Sequence, residues 1–159
     1  MNRILLILSP TRTSRDLVSQ ALDEAGRTDA ELVAVYIVDT AATDEVRQQV
    51  KNTGFLGKAP SADFLAAVRS EHERQGRCEL ERVERDAGRK GIAVRAQVLV
   101  GDFLTRSLEA AEEASARKIF VARSDRSRIS RMVGGSPVNE LRSSVPCHVI
   151  VHEENGKKE

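Results

Sequence analysis

Residues 4–8 of this chain, Ile-Leu-Leu-Ile-Leu, form an unbroken apolar run between Arg3 and the break at Ser9-Pro10. A strand wetted on one face alternates apolar and polar side chains. A run with no polar member suits a strand covered on both faces, as in a parallel sheet. Leu17, Val18, Ala21, Leu22 and Ala25 then recur at helical spacing, with Ser14 placed to cap a helix and Gly26 to stop it. Glu31–Val38 (ELVAVYIV) reads as a second strand. Parallel neighbours need a crossover, and this strand, helix, strand order supplies one.

The rest of the chain repeats that demand. Asp39 to Pro60 is polar and punctuated by Gly54 and Gly57, and reads as a loop. Ser61 is placed to cap a long helix with Leu65, Val68, His72, Leu80, Val83 and Ala87 on one stripe, ended by Gly88 and Gly91. Ile92 to Val100 alternates, with polar Arg95 and Gln97, as a strand near a sheet edge does. Asp102 is placed to cap a helix carrying Leu104, Leu108, Ala111 and Ala114, and Lys118–Ala122 is a fourth strand. An arginine-rich loop, Arg123 to Arg131, leads to a short helix from Pro137 to about Ser143, then to a last strand, Cys147 to His152. The pattern predicts an α/β fold with one doubly wound parallel sheet, in a domain over residues 1–153 with a frayed polar tail, 154–159.

Composition narrows the partners. Lys and Arg number 25 against 24 Asp and Glu, and this net charge of +1 generates no strong field toward nucleic acid or a membrane. Aromatics at 3%, with no Trp, provide no platform for stacking bases. Cys78 and Cys147 lack metal-ligand spacing and read as structural thiols. The N-terminal apolar run is too short for a secretory signal, and no stretch has the length of a membrane span. The cytoplasm is the expected compartment.

In open α/β sheets ligands bind beyond the carboxyl ends of the strands, where the strand order reverses. Ser9-Pro10-Thr11, Asp39 and the segment from Ala122 to Ser136 should converge there. Gly134-Gly135 permits tight turns, Ser136 is a natural N-cap and Pro137 fits the first helical position, so this turn can cradle an anion.

Several stretches resemble the universal stress protein family. They are Arg3–Leu8, Glu31–Asp39, Val100-Gly101-Asp102 and, most specifically, Gly135-Ser-Pro-Val-Asn-Glu-Leu-Arg-Ser-Ser-Val-Pro-Cys-His-Val-Ile-Val151. The resemblance covers essentially the whole chain. It implies a five-stranded parallel sheet of order 3-2-1-4-5, an adenine-nucleotide α-hydrolase-like fold, and a homodimer paired through the last strand, Cys147 to His152.

Some members bind ATP through a motif of Gly, two residues, Gly, nine residues, then Gly-Ser or Gly-Thr. Here Gly135 and Ser136 keep its end, while Ala122 and Asp125 stand where its earlier glycines fall. Ser9 stands where the family tends to carry an acidic residue, and Ile37 fits the apolar position on the adenine side. Asp125 would set a carboxylate beside a polyphosphate, costing about 4 kcal/mol at about 4 Å and an effective dielectric near 20. Arg123, Arg126, Arg128 and Arg131 can offset that repulsion.

The expected function is a dimeric regulatory or interaction module of the stress-response type, with weak or no ATP binding. The alternative is a small-ligand sensor holding ATP, AMP or a phosphate-type anion in the crevice. His72, His148 and His152 assemble no catalytic constellation with other residues, and no enzymatic activity or metal is expected.

Overall fold

The computed structural model describes residues 2–39, 62–123 and 137–152. Strands β1 (Arg3–Leu8), β2 (Glu31–Asp39), β3 (Val94–Gly101), β4 (Lys118–Ala122) and β5 (His148–His152) form one sheet in the order β3-β2-β1-β4-β5. Every neighbouring pair is parallel, as the resemblance implies. The helices are α1 (Arg15–Thr28), α2 (Ala62–Arg89), α3 (Phe103–Ala114) and α4 (Pro137–Ser144).

The opening apolar run is the centre of the sheet. Ile4, Leu6 and Leu8 pack with α1 and α2, whereas Leu5 and Ile7 pack with α3 and α4. Leu5 to Leu8 are each at most 1% exposed, so both faces of β1 are covered. β3 lies at one edge, with Arg95 and Gln97 exposed between half-buried apolar residues, and β5 lies at the other.

The helices depart from the sequence expectations in instructive places. Ser14 caps α1, its Oγ accepting from the Leu17 amide at 3.2 Å, but Gly26 does not stop the helix. It runs on to Thr28 and closes at Asp29, whose φ is 55°. One interior glycine costs about 1 kcal/mol, and the burial of Ala25 and the Glu24–Arg27 ion pair act against that cost.

Helix α2 buries Gly76, Leu80, Val83 and Ala87 but leaves Leu65, Val68 and His72 only half-buried. The reason is length. Its 28 residues span about 42 Å, against about 30 Å for the nine residues of β2, so its first half overhangs the sheet. It also passes Gly88 and ends at Arg89, with Gly91 supplying the left-handed turn at φ 69°. In α3 the buried stripe is Phe103, Ser107, Ala110, Ala111 and Ala114, while Leu104 and Leu108 are half-buried. Cys147 packs at the edge of the α3–α4 core, where burial pushes its thiol pKa up, whereas Cys78 is exposed.

At the amino end of the sheet, Glu24 Oε2 accepts from Lys118 Nζ and from Arg27 Nη2, both at 2.6 Å, tying α1 to β4. Hydrogen bonds from Arg27 and then Lys118 hold the Glu24 carboxyl down at about 2, against an ordinary 4.5. A carboxylate with a depressed folded pKa stabilises fully above its unfolded value, and that contribution is lost as pH falls toward the folded one. Glu24→Gln is therefore expected to cost roughly 1 kcal/mol at neutral pH. It should also remove part of the loss of stability between pH 4.5 and about 2, measured by urea unfolding at each pH.

Candidate functional site: a crevice occupied by Arg12

The sheet order reverses between β1 and β4, so the carboxyl ends of these strands flank the crevice. The chain leaves β1 through a tight turn. The Arg12 amide donates to the Ser9 carbonyl at 3.0 Å, and the Ser9 amide to the Arg12 carbonyl at 3.4 Å. This turn aims the Arg12 side chain across the reversal point. Arg12 Nη1 donates to the Ala122 carbonyl at the end of β4, at 3.1 Å. Its guanidinium carbon lies 4.2 Å from the centre of the Phe103 ring, at the start of α3. Arg12 is only 6% exposed.

Burial is the largest influence on this guanidinium and pushes its pKa down to about 10, with Arg123 acting in the same direction. Asp39, at the end of β2, opposes them. Arg12 therefore stays charged at neutral pH, held by the carbonyl dipole, the aromatic face and the field of Asp39.

Around it, Asp102 caps α3, its Oδ2 accepting from the Thr105 amide and hydroxyl, both at 2.9 Å. Arg123 Nη2 donates to Asn139 Oδ1 at 2.9 Å and ties the end of β4 to α4. The Ser107 hydroxyl, one turn beyond Phe103, is buried and has no hydrogen-bond partner among the described residues.

The site residues expected from sequence are distributed as follows. Ser9 is 2% exposed and contributes its backbone to the turn. Ile37 is buried in the same core cluster as Phe103. Ala122 turns its methyl into the opposite cluster, with α1 and α2, and presents its carbonyl to Arg12. Asp125, Gly135 and Ser136 lie outside the described residues, as do Arg126, Arg128 and Arg131.

His148 is at the start of β5, away from the crevice, and His152 pairs with Ala122 at the carboxyl end of the strand. His72 is on α2, its buried Nδ1 without a hydrogen-bond partner among the described residues. Among the described residues no group of His, Cys, Asp or Glu is placed to hold a metal ion, and no helix is long and apolar enough to cross a membrane.

Sequence reasoning missed Arg12. The available signal was its position, as the charged residue immediately beyond the central strand. Nothing local indicates that the side chain folds inward.

A parallel 3-2-1-4-5 sheet with its crevice at the β1–β4 reversal defines the Rossmann-like, adenine-nucleotide α-hydrolase-like class of α/β proteins. Within that class the pattern of the Universal stress protein family matches residues 1–152, and the chain belongs to this family. Solved structures agree on the fold. A universal stress protein family member from Burkholderia pseudomallei is 20% identical, with 94% of each chain covered and a TM-score of 0.65. A universal stress protein in complex with cAMP is 18% identical, with 92% of this chain and 94% of the other covered and a TM-score of 0.57. A family protein from Arabidopsis thaliana with AMP bound is 10% identical, with 96% and 92% covered and a TM-score of 0.59. No curated protein is similar enough to the chain to stand as a relative.

Proposed function

We propose that the chain is a non-enzymatic, dimeric regulatory module of the stress response, acting in the cytoplasm, whose crevice is closed by its own Arg12 and holds adenine nucleotides weakly or not at all. The domain spans residues 1–153, with a polar tail beyond it. The observation that carries this reading is the placement of Arg12, buried across the β1–β4 reversal between the Ala122 carbonyl and the Phe103 ring. A nucleotide entering there must displace a guanidinium that already has its partners. Ser9, Ala122 and Asp125, in place of the family's acidic residue and glycines, act in the same direction.

Calorimetry with AMP and cAMP should give dissociation constants no tighter than about 1 mM. ATP should bind no more tightly than tripolyphosphate, because the adenosine contributes nothing. A micromolar constant for either mononucleotide, or a gain of tenfold or more from adenosine, overturns the reading.

The second reading, a nucleotide sensor, is favoured by the cAMP and AMP in the two similar structures. The same titrations decide between them.

For the dimer the support is β5, which lies at the end of the strand order with Val149, Ile150 and Val151 and would otherwise leave a sheet edge unpaired. Sedimentation should give a dimer at micromolar concentration, and a monomer at high micromolar concentration rules the dimer out.

A further inference from the structure

On the other face of the sheet from α3, a groove of about 550 Å³ runs between the first turn of α1 and the C-terminal half of α2. Pockets of that size hold small organic ligands. Arg82, Arg85 and Arg89 of α2 line it, spaced three, four and seven residues apart, and so form one ridge along the helix. Arg15 lines it from α1. The acidic residues that line the groove are Glu79 and Asp86.

Each of those carboxylates is already engaged within α2, Glu79 with Arg82 at 3.8 Å and Asp86 with Arg89 at 3.2 Å. Among the described residues no carboxylate forms an ion pair with the other two lining arginines, Arg15 and Arg85.

Helix α1 adds to this imbalance. Its N-terminus, the positive end of the helix dipole, opens on the groove through Thr13, Ser14 and Arg15. Ser14 Oγ satisfies the Leu17 amide, and the helical ladder offers no acceptor to the amides of Arg15 and Asp16. Asp16 lies in this first turn but does not line the groove. A cationic ridge, an arginine and a helix N-terminus thus face one cavity in a chain whose net charge is only +1.

We infer that this groove is a binding site for a small molecule carrying two or more linked phosphate groups, separate from the Arg12 crevice. Arg15 and Arg85 take phosphate oxygens from opposite walls. Arg82 and Arg89 exchange or share their carboxylate partners with the ligand.

The test uses the full chain and inorganic tripolyphosphate as probe, with single phosphate for comparison. Calorimetry should give a dissociation constant on the order of 10–100 µM for tripolyphosphate and far weaker binding for phosphate. The double variant Arg15→Gln, Arg85→Gln should weaken the probe by at least about tenfold. Arg77→Gln, an exposed α2 arginine outside the groove, should leave it unchanged.

No binding to the wild type at millimolar probe overturns the inference, as does an equal loss in the Arg77 variant, which means diffuse charge attraction. Should the double variant not fold, amide shifts in the wild type decide. Shifts confined to residues 13–19 and 79–89 support the site, and shifts elsewhere overturn it.

Discussion

Arg12→Ala is expected to raise the affinity for AMP and cAMP by about 100-fold. The wild-type crevice holds a charged guanidinium on the Ala122 carbonyl at 3.1 Å and over the Phe103 ring at 4.2 Å. A charge-assisted hydrogen bond contributes roughly 1.5–3 kcal/mol and a cation–π contact between the exposed and fully desolvated limits about 1–2 kcal/mol. Displacing both costs an incoming nucleotide about 3 kcal/mol, or two decades of affinity. Removing the side chain removes the competitor and leaves space beside Phe103. Calorimetry on the variant checks this, with circular dichroism to show that the fold survives. An unchanged affinity in a folded variant means that Arg12 is not what keeps nucleotides out.

The largest effect on stability is expected at Gly76. It is buried in the middle of α2, where a Cβ would lie 2.5 Å from Tyr36 Cδ1, 2.9 Å from Cγ and 3.0 Å from Cε1. Tyr36 has no room to yield, being 1% exposed in the central part of the sheet. Its phenol pKa is pushed up to about 12 by burial and by Glu79, so it remains neutral against the helix.

Gly76→Val should cost about 3 kcal/mol through overpacking, which in a chain of this size lowers Tm by about 6–12 °C. Gly76→Ala gains about 1 kcal/mol of helix propensity and should still be destabilising. Placed on a Tyr36→Leu background it should cost less, with a coupling of at least about 1 kcal/mol in a double-mutant cycle. A stabilising Gly76→Ala shows that α2 can move off the sheet.

Much of the fold was legible because covering a strand on both faces leaves a local mark. The unbroken run at Ile4–Leu8 marks a strand covered on both faces, and the alternation around Arg95 and Gln97 marks a sheet edge. Caps were equally readable at Ser14 and Asp102, since each depends on one side chain and an amide three residues away. Stripes were less so. The half-buried Leu65 and Val68 have the same spacing as the buried Leu80 and Val83, and only the length of β2 decides where α2 outruns its support. Gly76 carries no such local mark, because the need for it comes from Tyr36, forty positions earlier in the chain.

The site follows the same division. Local sequence determined the alternation of strands and helices, the doubly covered first strand and the family resemblance carried from Gly135 to Val151, because each depends on neighbours in the chain. What occupies the crevice was decided only by tertiary structure. Arg12 is an ordinary turn residue until β4 brings Ala122 and α3 brings Phe103 to it, across 110 and 91 positions. The groove has the same origin: Arg15 and the Arg82–Arg89 ridge face each other only because α1 and α2 pack on one side of the sheet. Charges far apart in sequence acquire a common field only when a fold brings them together.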